Sequence, residues 1–405
     1  METDARIHQK LTEINKIIES HWQESKDIGV LSGISGIALF QFYYSRLVKE
    51  ESVADLGAEM ISATVERIND GFHLPTFCSG IAGAAWTIEL LKEEEFVELD
   101  TDELLGDLDD FLETFLKLDN NKNFYDFLHG VMGVGFYFLK RYQRTASAVF
   151  KKKYEKLLMS VIDRLKETAI KENDTLRWES NLRREEHLIG YNLSLSHGHS
   201  SIINFLSRLA RIGVFKDEVT ALLKMTVKYV EEQAYMGSEN SSLYPDWITT
   251  NGHISGSGRL AWCYGDLGIG VSFWHAGNAL KNDRLSKKGL DILKHTSKRR
   301  DLEEVKIVDA GLCHGAFGVM HIYQAMYRAT GDAAFKEAAD FWMKQALDMA
   351  IHEDGYAGYC QWSAGEQPGW RKELNLLEGI AGIGLAMISY IAPFDTKWDE
   401  CLLIG

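Results

Sequence analysis

The chain has 405 residues, 45% apolar and 25% charged, with 35 Gly against 4 Pro. This is the make-up of a globular protein with a large core, and few Pro with many Gly favour long helices separated by repeated turns. A formal charge of −15 argues against a nucleic-acid partner, whose phosphates would be repelled; it suits a basic peptide and serves solubility equally well.

Helical periodicity begins at once. Ala5–Trp22 spaces Ile7, Leu11, Ile14, Ile17 and Ile18 three and four apart. Ser32-Gly33-Ile34-Ser35-Gly36 follows, a phrase of polar residue, Gly, two residues and Gly that opens an apolar run. The phrase returns as Ser79-Gly80-Ile81-Ala82-Gly83, His129-Gly130-Val131-Met132-Gly133 and His197-Gly198-His199-Ser200-Ser201. It returns again as Tyr264-Gly265-Asp266-Leu267-Gly268, His314-Gly315-Ala316-Phe317-Gly318 and Glu378-Gly379-Ile380-Ala381-Gly382. Only the fourth copy lacks its second Gly, which Ser201 replaces. Amphipathic segments separate the copies, around Val53–Ile68, Leu104–Leu116, Val149–Leu165, Val219–Tyr235, Arg284–Lys294 and Ala333–Ala350. Short strands are expected only near Thr175–Trp178 and Tyr244–Ile248, in connections. Gly237–Gly258 reads as a surface connection. No stretch reaches the ~18 apolar residues of a membrane span, so an integral membrane protein is not expected.

A helix apolar nearly all round must be buried, and an amphipathic partner covers it with one stripe. Seven such pairs closing in a ring give an all-α fold, an α/α toroid. It would be a double ring of seven outer and seven inner helices with short irregular or β insertions, one domain over residues 1–405. All seven turns then lie at one end of the inner barrel. There they gather the residues that precede each first glycine: Ser32, Ser79, His129, His197, Tyr264, His314 and Glu378.

Ala261-Trp262-Cys263-Tyr264-Gly265 and Leu312-Cys313-His314-Gly315 bring two cysteines and a histidine to two of these turns. Thiolate and imidazole are preferred zinc ligands, and three protein ligands with a fourth position open is the catalytic arrangement. A Cys263–Cys313 disulfide, or two unrelated buried thiols, would read the same way. The first residues show no basic stretch followed by an apolar one, and five cysteines is an odd number, so reduced thiols in the cytoplasm are expected. Cys78, Cys360 and Cys401 read as core or surface thiols.

On these turns the sequence resembles the lanthionine synthetase C-like (LanC) cyclases, over essentially its whole length. The resemblance implies that Cys263, Cys313 and His314 bind one zinc per chain. It implies that His197, in Leu195-Ser196-His197-Gly198, is the catalytic histidine. Asp126, in Tyr125-Asp126-Phe127-Leu128-His129-Gly130, matches the catalytic aspartate, and Arg259 and Tyr264 match further active-site positions. Cys-Tyr-Gly is similar to the bacterial stand-alone cyclases, whereas animal relatives have Cys-His-Gly. His-Gly-His-Ser-Ser departs from the family's turn, and no clear β-rich insertion is visible. His129 and Glu378 match no family role and read as turn or supporting residues.

The activity implied is addition of cysteine thiols across dehydroalanine or dehydrobutyrine in a dehydrated ribosomal precursor peptide, giving lanthionine and methyllanthionine thioether rings. A dehydratase and a membrane transporter would be its partners, in a complex at the inner face of the membrane. Two other readings are addition of an external thiol such as glutathione, and a zinc-stabilised peptide-binding scaffold without turnover.

The chemistry is demanding. Only about 3% of an ordinary thiol is thiolate at pH 7, and zinc binding removes the proton outright. Two cysteinates and a neutral histidine already cancel the metal's charge, so a third thiolate would stay electron-rich. Attack leaves an amide enolate that needs charge stabilisation and a proton. His197 can carry that proton, or simply pack; His199 is an alternative donor. Asp126 can orient His197 or cap the third buried helix. Arg259 can hold enolate charge or make a rim ion pair, and Tyr264 can donate a hydrogen bond or pack beside the metal.

Overall fold

Helices of two kinds alternate along the chain, and the glycine phrases decide which is which. A computed structural model describes residues 2–118, 124–183, 187–236, 241–256, 258–364 and 367–405. It divides into two compact units, one made of Met1–Phe115, Gln143–Thr145 and Ile307–Gly405, the other of Leu116–Tyr142 and Ala146–Lys306. The helices begin with α1 (Glu2–His21), α2 (Ile34–Val48), α3 (Glu51–Asn69), α4 (Ile81–Glu93), the single turn α5 (Thr101–Leu104), α6 (Gly106–Lys117), α7 (Val131–Arg144) and α8 (Ala148–Thr168). They continue with α9 (His199–Ile212), α10 (Lys216–Glu231), α11 (Asp266–Leu280), α12 (Asp283–Thr296), α13 (Ala316–Thr330), α14 (Ala333–Asp348) and α15 (Ile380–Ile391).

Seven of them, α2, α4, α7, α9, α11, α13 and α15, start on the residue after a phrase's first glycine. These are the buried helices: α15 is buried without a break from Ile380 to Ser389, and α2 from Ile34 to Tyr44. The partners are one-sided, as in α1, where Ile7, Leu11, Ile14, Asn15 and Ile18 alone are buried. The second glycine has a steric reason. A Cβ on Gly83, Gly318 or Gly382 would lie 2.0, 1.9 or 1.7 Å from the carbonyl oxygen of Phe77, Leu312 or Leu376, six residues earlier. Backbone cannot yield at that distance. The odd fourth copy is accommodated, and the Ser201 hydroxyl donates to the Gly198 carbonyl (2.7 Å).

Within each unit, hydrogen bonds tie turn to turn. In the first unit Leu312 and Cys313 N–H donate to the Leu377 carbonyl (3.1 and 2.9 Å), and Leu377 N–H donates to Leu31 (2.9 Å). Leu31 and Ser32 then donate to Cys78 (both 3.1 Å). The sixth, seventh, first and second turns thus form one row, which joins the C-terminal repeat to the N-terminal one. In the second unit Leu195 and Ser196 donate to the Cys263 carbonyl (3.1 and 3.4 Å), joining the fourth turn to the fifth.

The described strands have three to five residues each. β1 (Ile170–Glu172) pairs with β2 (Thr175–Arg177), while β3 (Ser180–Arg183), β4 (Leu188–Asn192) and β5 (Trp247–Thr249) form an antiparallel sheet in that order. β6 (Gln361–Ser363) and β7 (Gly369–Arg371) make a hairpin in the first unit. The second unit carries a small β insertion: β2 and β5 fall where short strands were expected, near Thr175–Trp178 and Tyr244–Ile248, and β1, β3 and β4 extend it beyond what the sequence suggested. No helix among the described residues is long and apolar enough to cross a membrane.

Candidate active site

The turns before the buried helices share a local device. A side-chain oxygen accepts the main-chain N–H of the residue three positions on, the one just before the first glycine. Thr76 does this for Ser79 (3.4 Å), Ser194 for His197 (3.0 Å) and Asn375 for Glu378 (2.8 Å). In the third turn the acceptor is a carboxylate: Asp126 Oδ1 takes the His129 N–H at 2.8 Å. One oxygen satisfies the turn, and Asp126 has another. Its Oδ2 lies 2.6 Å from Nδ1 of His197, a residue 71 positions away on the next turn. Burial pushes the Asp126 carboxyl up, but the hydrogen bond and charge of His197 outweigh it and hold the group below the usual carboxylate range. Asp126 thus bonds the backbone of its own turn, short of the first residue of α7, and also the ring of His197.

Nδ1 engaged by a carboxylate leaves Nε2 as the ring atom that can exchange a proton with substrate. The His197 side chain is 32% exposed, so it can be reached. It opens on a cavity of about 450 Å³ in the second unit, lined by Asp126, His129, Asn192, His197, Tyr264 and the edge strand β3 among others. Tyr264 is placed by Asn192, whose amide Nδ2 donates to the phenol oxygen (3.2 Å). Burial is the larger influence on that phenol and, net of the Asn192 hydrogen bond, its pKa is pushed up to about 12. Gly265 next to it adopts φ +91°, and a Cβ there would fall 2.2 Å from the Arg259 carbonyl, so the turn after Tyr264 requires glycine. Arg259 is half-buried at the start of that turn.

His199 is not a proton donor to substrate. It is fully buried, its Nδ1 contacts the Asn192 carbonyl (2.6 Å), and its Nε2 accepts the Trp178 main-chain N–H (3.2 Å). Burial lowers its pKa to about 4, so it is a neutral structural link between the turn and the β insertion. The Gly237–Gly258 connection is likewise more than surface. Residues 237–240 and 257 lie outside the described residues, but the Leu243 and Tyr244 N–H groups bond the buried Asp266 (2.8 and 3.0 Å).

Cys263 lies just before Tyr264 and is 6% exposed. In the first unit Cys313 and His314 share the sixth turn, where Asp309 is built into the backbone. Its Oδ1 accepts Gly311 N–H (3.1 Å) and its Oδ2 accepts Trp362 N–H (2.9 Å). The same Oδ2 lies 3.1 Å from Nε2 of His314. With the Asp309 side chain 1% exposed, that carboxylate is a fixed partner for the imidazole. None of the five cysteines, all described, is in a disulfide. Asn192 and Asp309 carried no sequence signal, since each acts through a partner remote in sequence or on the far side of a turn.

The lanthionine synthetase C-like protein family matches residues 24–403. The chain belongs to this family. Nisin biosynthesis protein NisC of Lactococcus lactis subsp. lactis is 24% identical over 352 residues, which cover 80% of this chain and 76% of that protein. The solved structure of nisin cyclase superposes with a TM-score of 0.77 at 20% identity, covering 98% of this chain and 97% of that one. The all-α class and the α/α toroid expected from the repeats are the fold this LanC-like chain shares with it.

Proposed function

We propose that this LanC-like chain is a zinc-dependent lanthipeptide cyclase. It adds cysteine thiols of a dehydrated precursor peptide to dehydroalanine or dehydrobutyrine, forming lanthionine and methyllanthionine rings. The observation that carries the reading is the Asp126–His197 pair at 2.6 Å, open to a cavity that Tyr264 also lines. A binding scaffold needs no carboxylate-held imidazole there.

Cys263, Cys313 and His314 would hold the metal ion, since two thiols with one imidazole are a zinc-type donor set. The donor chemistry fits, because Asp309 engages His314 Nε2 and a metal would take Nδ1. Bound there, zinc supplies the Lewis acidity that makes an arriving thiol a thiolate at neutral pH. The protein's own groups do the rest. His197 Nε2 accepts the thiol proton, Asp126 stabilises the resulting imidazolium, and the imidazolium then gives the proton to Cα of the enolate. Tyr264, which lines the cavity, offers its O–H to the negative charge that develops on the amide oxygen, and Arg259 is given the same task, by its charge, on the family resemblance alone. Asn192 donates to the Tyr264 oxygen, so the phenol proton is not used in that bond.

A dehydratase must act first, since the alkenes have to exist before the thiol can add. The test starts with metal content of protein purified without added zinc, for wild type and Cys313→Ala. Near one zinc per chain, lost in the variant, is expected. A folded wild type without metal refutes the zinc centre. Failure of a metal-loaded wild type to close rings on a dehydrated peptide refutes the cyclase.

A further inference from the structure

The small sheet of the second unit ends on an open edge, and that edge borders the cavity of His197. β3 is the outermost strand in the order β3-β4-β5, and no described residue pairs with it from the far side. The hydrogen bonds of β4 decide which main-chain groups that side presents. The Ile189 carbonyl accepts the Thr250 N–H (3.3 Å), and the Leu193 N–H donates to the Asp246 carbonyl (3.0 Å). Alternate residues from Ile189 onward therefore turn toward β5, and Gly190, between them, turns toward β3, where it opposes Ser180. Ser180 thus spends its N–H and C=O inside the sheet. Its neighbours Glu179 and Asn181, both exposed, direct theirs to the open side.

These outward groups lie beside the reaction space. Glu179, Ser180, Asn181 and Leu182 line the cavity of about 450 Å³ that also holds His197 and Tyr264. The first three line a second cavity, of about 380 Å³, together with Trp178 and Ile189. Successive side chains of a strand point to opposite faces, so a run of consecutive residues lines one cavity only where that cavity reaches round the strand's edge. Tyr125 lines both cavities as well, so the two spaces meet along β3.

We propose that the precursor peptide docks in extended form against the open edge of β3, as a further strand of the sheet that leads into the cavity of His197. That the occupant is this peptide rests on the cyclase reading above. Glu179 and Asn181 offer two donors and two acceptors at the two-residue repeat of a strand ladder. Main-chain pairing supplies affinity without reading side chains. Such a grip slips in steps of two residues without turning the peptide over, so one edge serves successive segments of the same chain. A second copy of the protein is the other occupant an open edge invites. The register shift after Asn181 leaves it a very short ladder.

Asn181→Pro is the informative variant. The Asn181 N–H faces away from β4, so proline removes an outward donor and costs the sheet no ladder bond. The probe is a synthetic peptide with Ala and Ser in place of one dehydroalanine and one cysteine. It cannot react, and its binding is read by fluorescence anisotropy. Asn181→Pro should weaken binding about tenfold or more, while Asn181→Ala, which keeps the main-chain N–H, should stay within about threefold of wild type. On the reactive peptide, zinc-loaded Asn181→Pro should raise KM by the same factor with kcat little changed. Esters replacing the probe's amides one at a time give a second measurement that needs no variant and stands if Asn181→Pro fails to fold. At least one ester should weaken binding to wild type about tenfold. Equal losses for Pro and Ala would assign the effect to the side chain and overturn the proposal. So would an ester series without effect, a probe that does not bind wild type, or a dimer that Asn181→Pro dissociates and the probe does not. If wild type binds the probe through this edge yet closes no ring, the cyclase reading fails and the docking edge stands.

Discussion

Asp126→Asn isolates the charge of the Asp126–His197 pair with almost no change in shape. The carboxylate has two acceptors in use, one for the His129 N–H at 2.8 Å and one for His197 Nδ1 at 2.6 Å. An amide has one acceptor and one donor. If its oxygen keeps the His129 N–H, its NH₂ faces Nδ1, which must then be the unprotonated nitrogen. The ring proton moves to Nε2, and Nε2 can no longer accept one. If the amide turns over, the His129 N–H faces another donor and the turn loses its bond. A hydrogen bond to a charged group is worth about 1.5–3 kcal/mol, which is about 10- to 150-fold in rate at 1.36 kcal/mol per decade. An inverted tautomer adds to that, up to about 10⁴-fold where the pair is fully enclosed. His197 is 32% exposed and partly screened, so we expect kcat to fall about 10²- to 10³-fold. The assay is ring closure on dehydrated peptide followed by mass spectrometry after thiol alkylation, with zinc content and circular dichroism as controls. A folded, zinc-loaded Asp126→Asn within about threefold of wild type would refute the pairing as the proton device.

The same carboxylate should show in stability. Its pKa is lowered on folding, so its stabilisation is present above the unfolded value of about 3.9 and is lost as pH falls through the lower folded value. Wild type should therefore exceed Asp126→Asn in denaturant midpoint near about pH 5, and the gap should close toward about pH 2; a gap that widens on acidification contradicts the ion pair. Asp309→Asn should weaken zinc about 10- to 100-fold, measured by chelator competition, because His314 loses a charged partner at Nε2. Gly318→Ala places a methyl 1.9 Å from the Leu312 carbonyl and should cost about 3 kcal/mol in urea unfolding, while Gly106→Ala, in open space at the start of α6, should be neutral or stabilising.

The repeat was legible because its cause is local. A glycine six residues after a carbonyl that nearly touches it leaves the same mark at Gly83, Gly318 and Gly382. The helices that follow are buried all round, so their pattern needs no partner to be read. The β insertion was legible only in part: β2 and β5 lie where strands were expected, whereas β1, β3 and β4, of three to five residues and partly exposed as in β1, show no alternation long enough to count. His199 was open to misreading for a related reason: what removes it from chemistry is Trp178 and Asn192, on segments the spacing does not bring near.

Asp126 shows where sequence and structure meet. Aligned on the first glycine, the acceptor of the turn is Thr76, Asp126, Ser194 and Asn375. Any oxygen serves the turn, so three neutral residues and one acid look interchangeable. Only the acid has a second acceptor and a charge left after the turn is satisfied. A carboxylate used merely as a cap would keep that charge in solvent, yet the Asp126 side chain is 13% exposed and spends it on an imidazole two helices further along the chain. Desolvating a charge is costly unless it is paired. The fold can bear that cost only because His197 is on the next turn, and replacing His197 by Ala should therefore destabilise the chain more than its own modest burial accounts for.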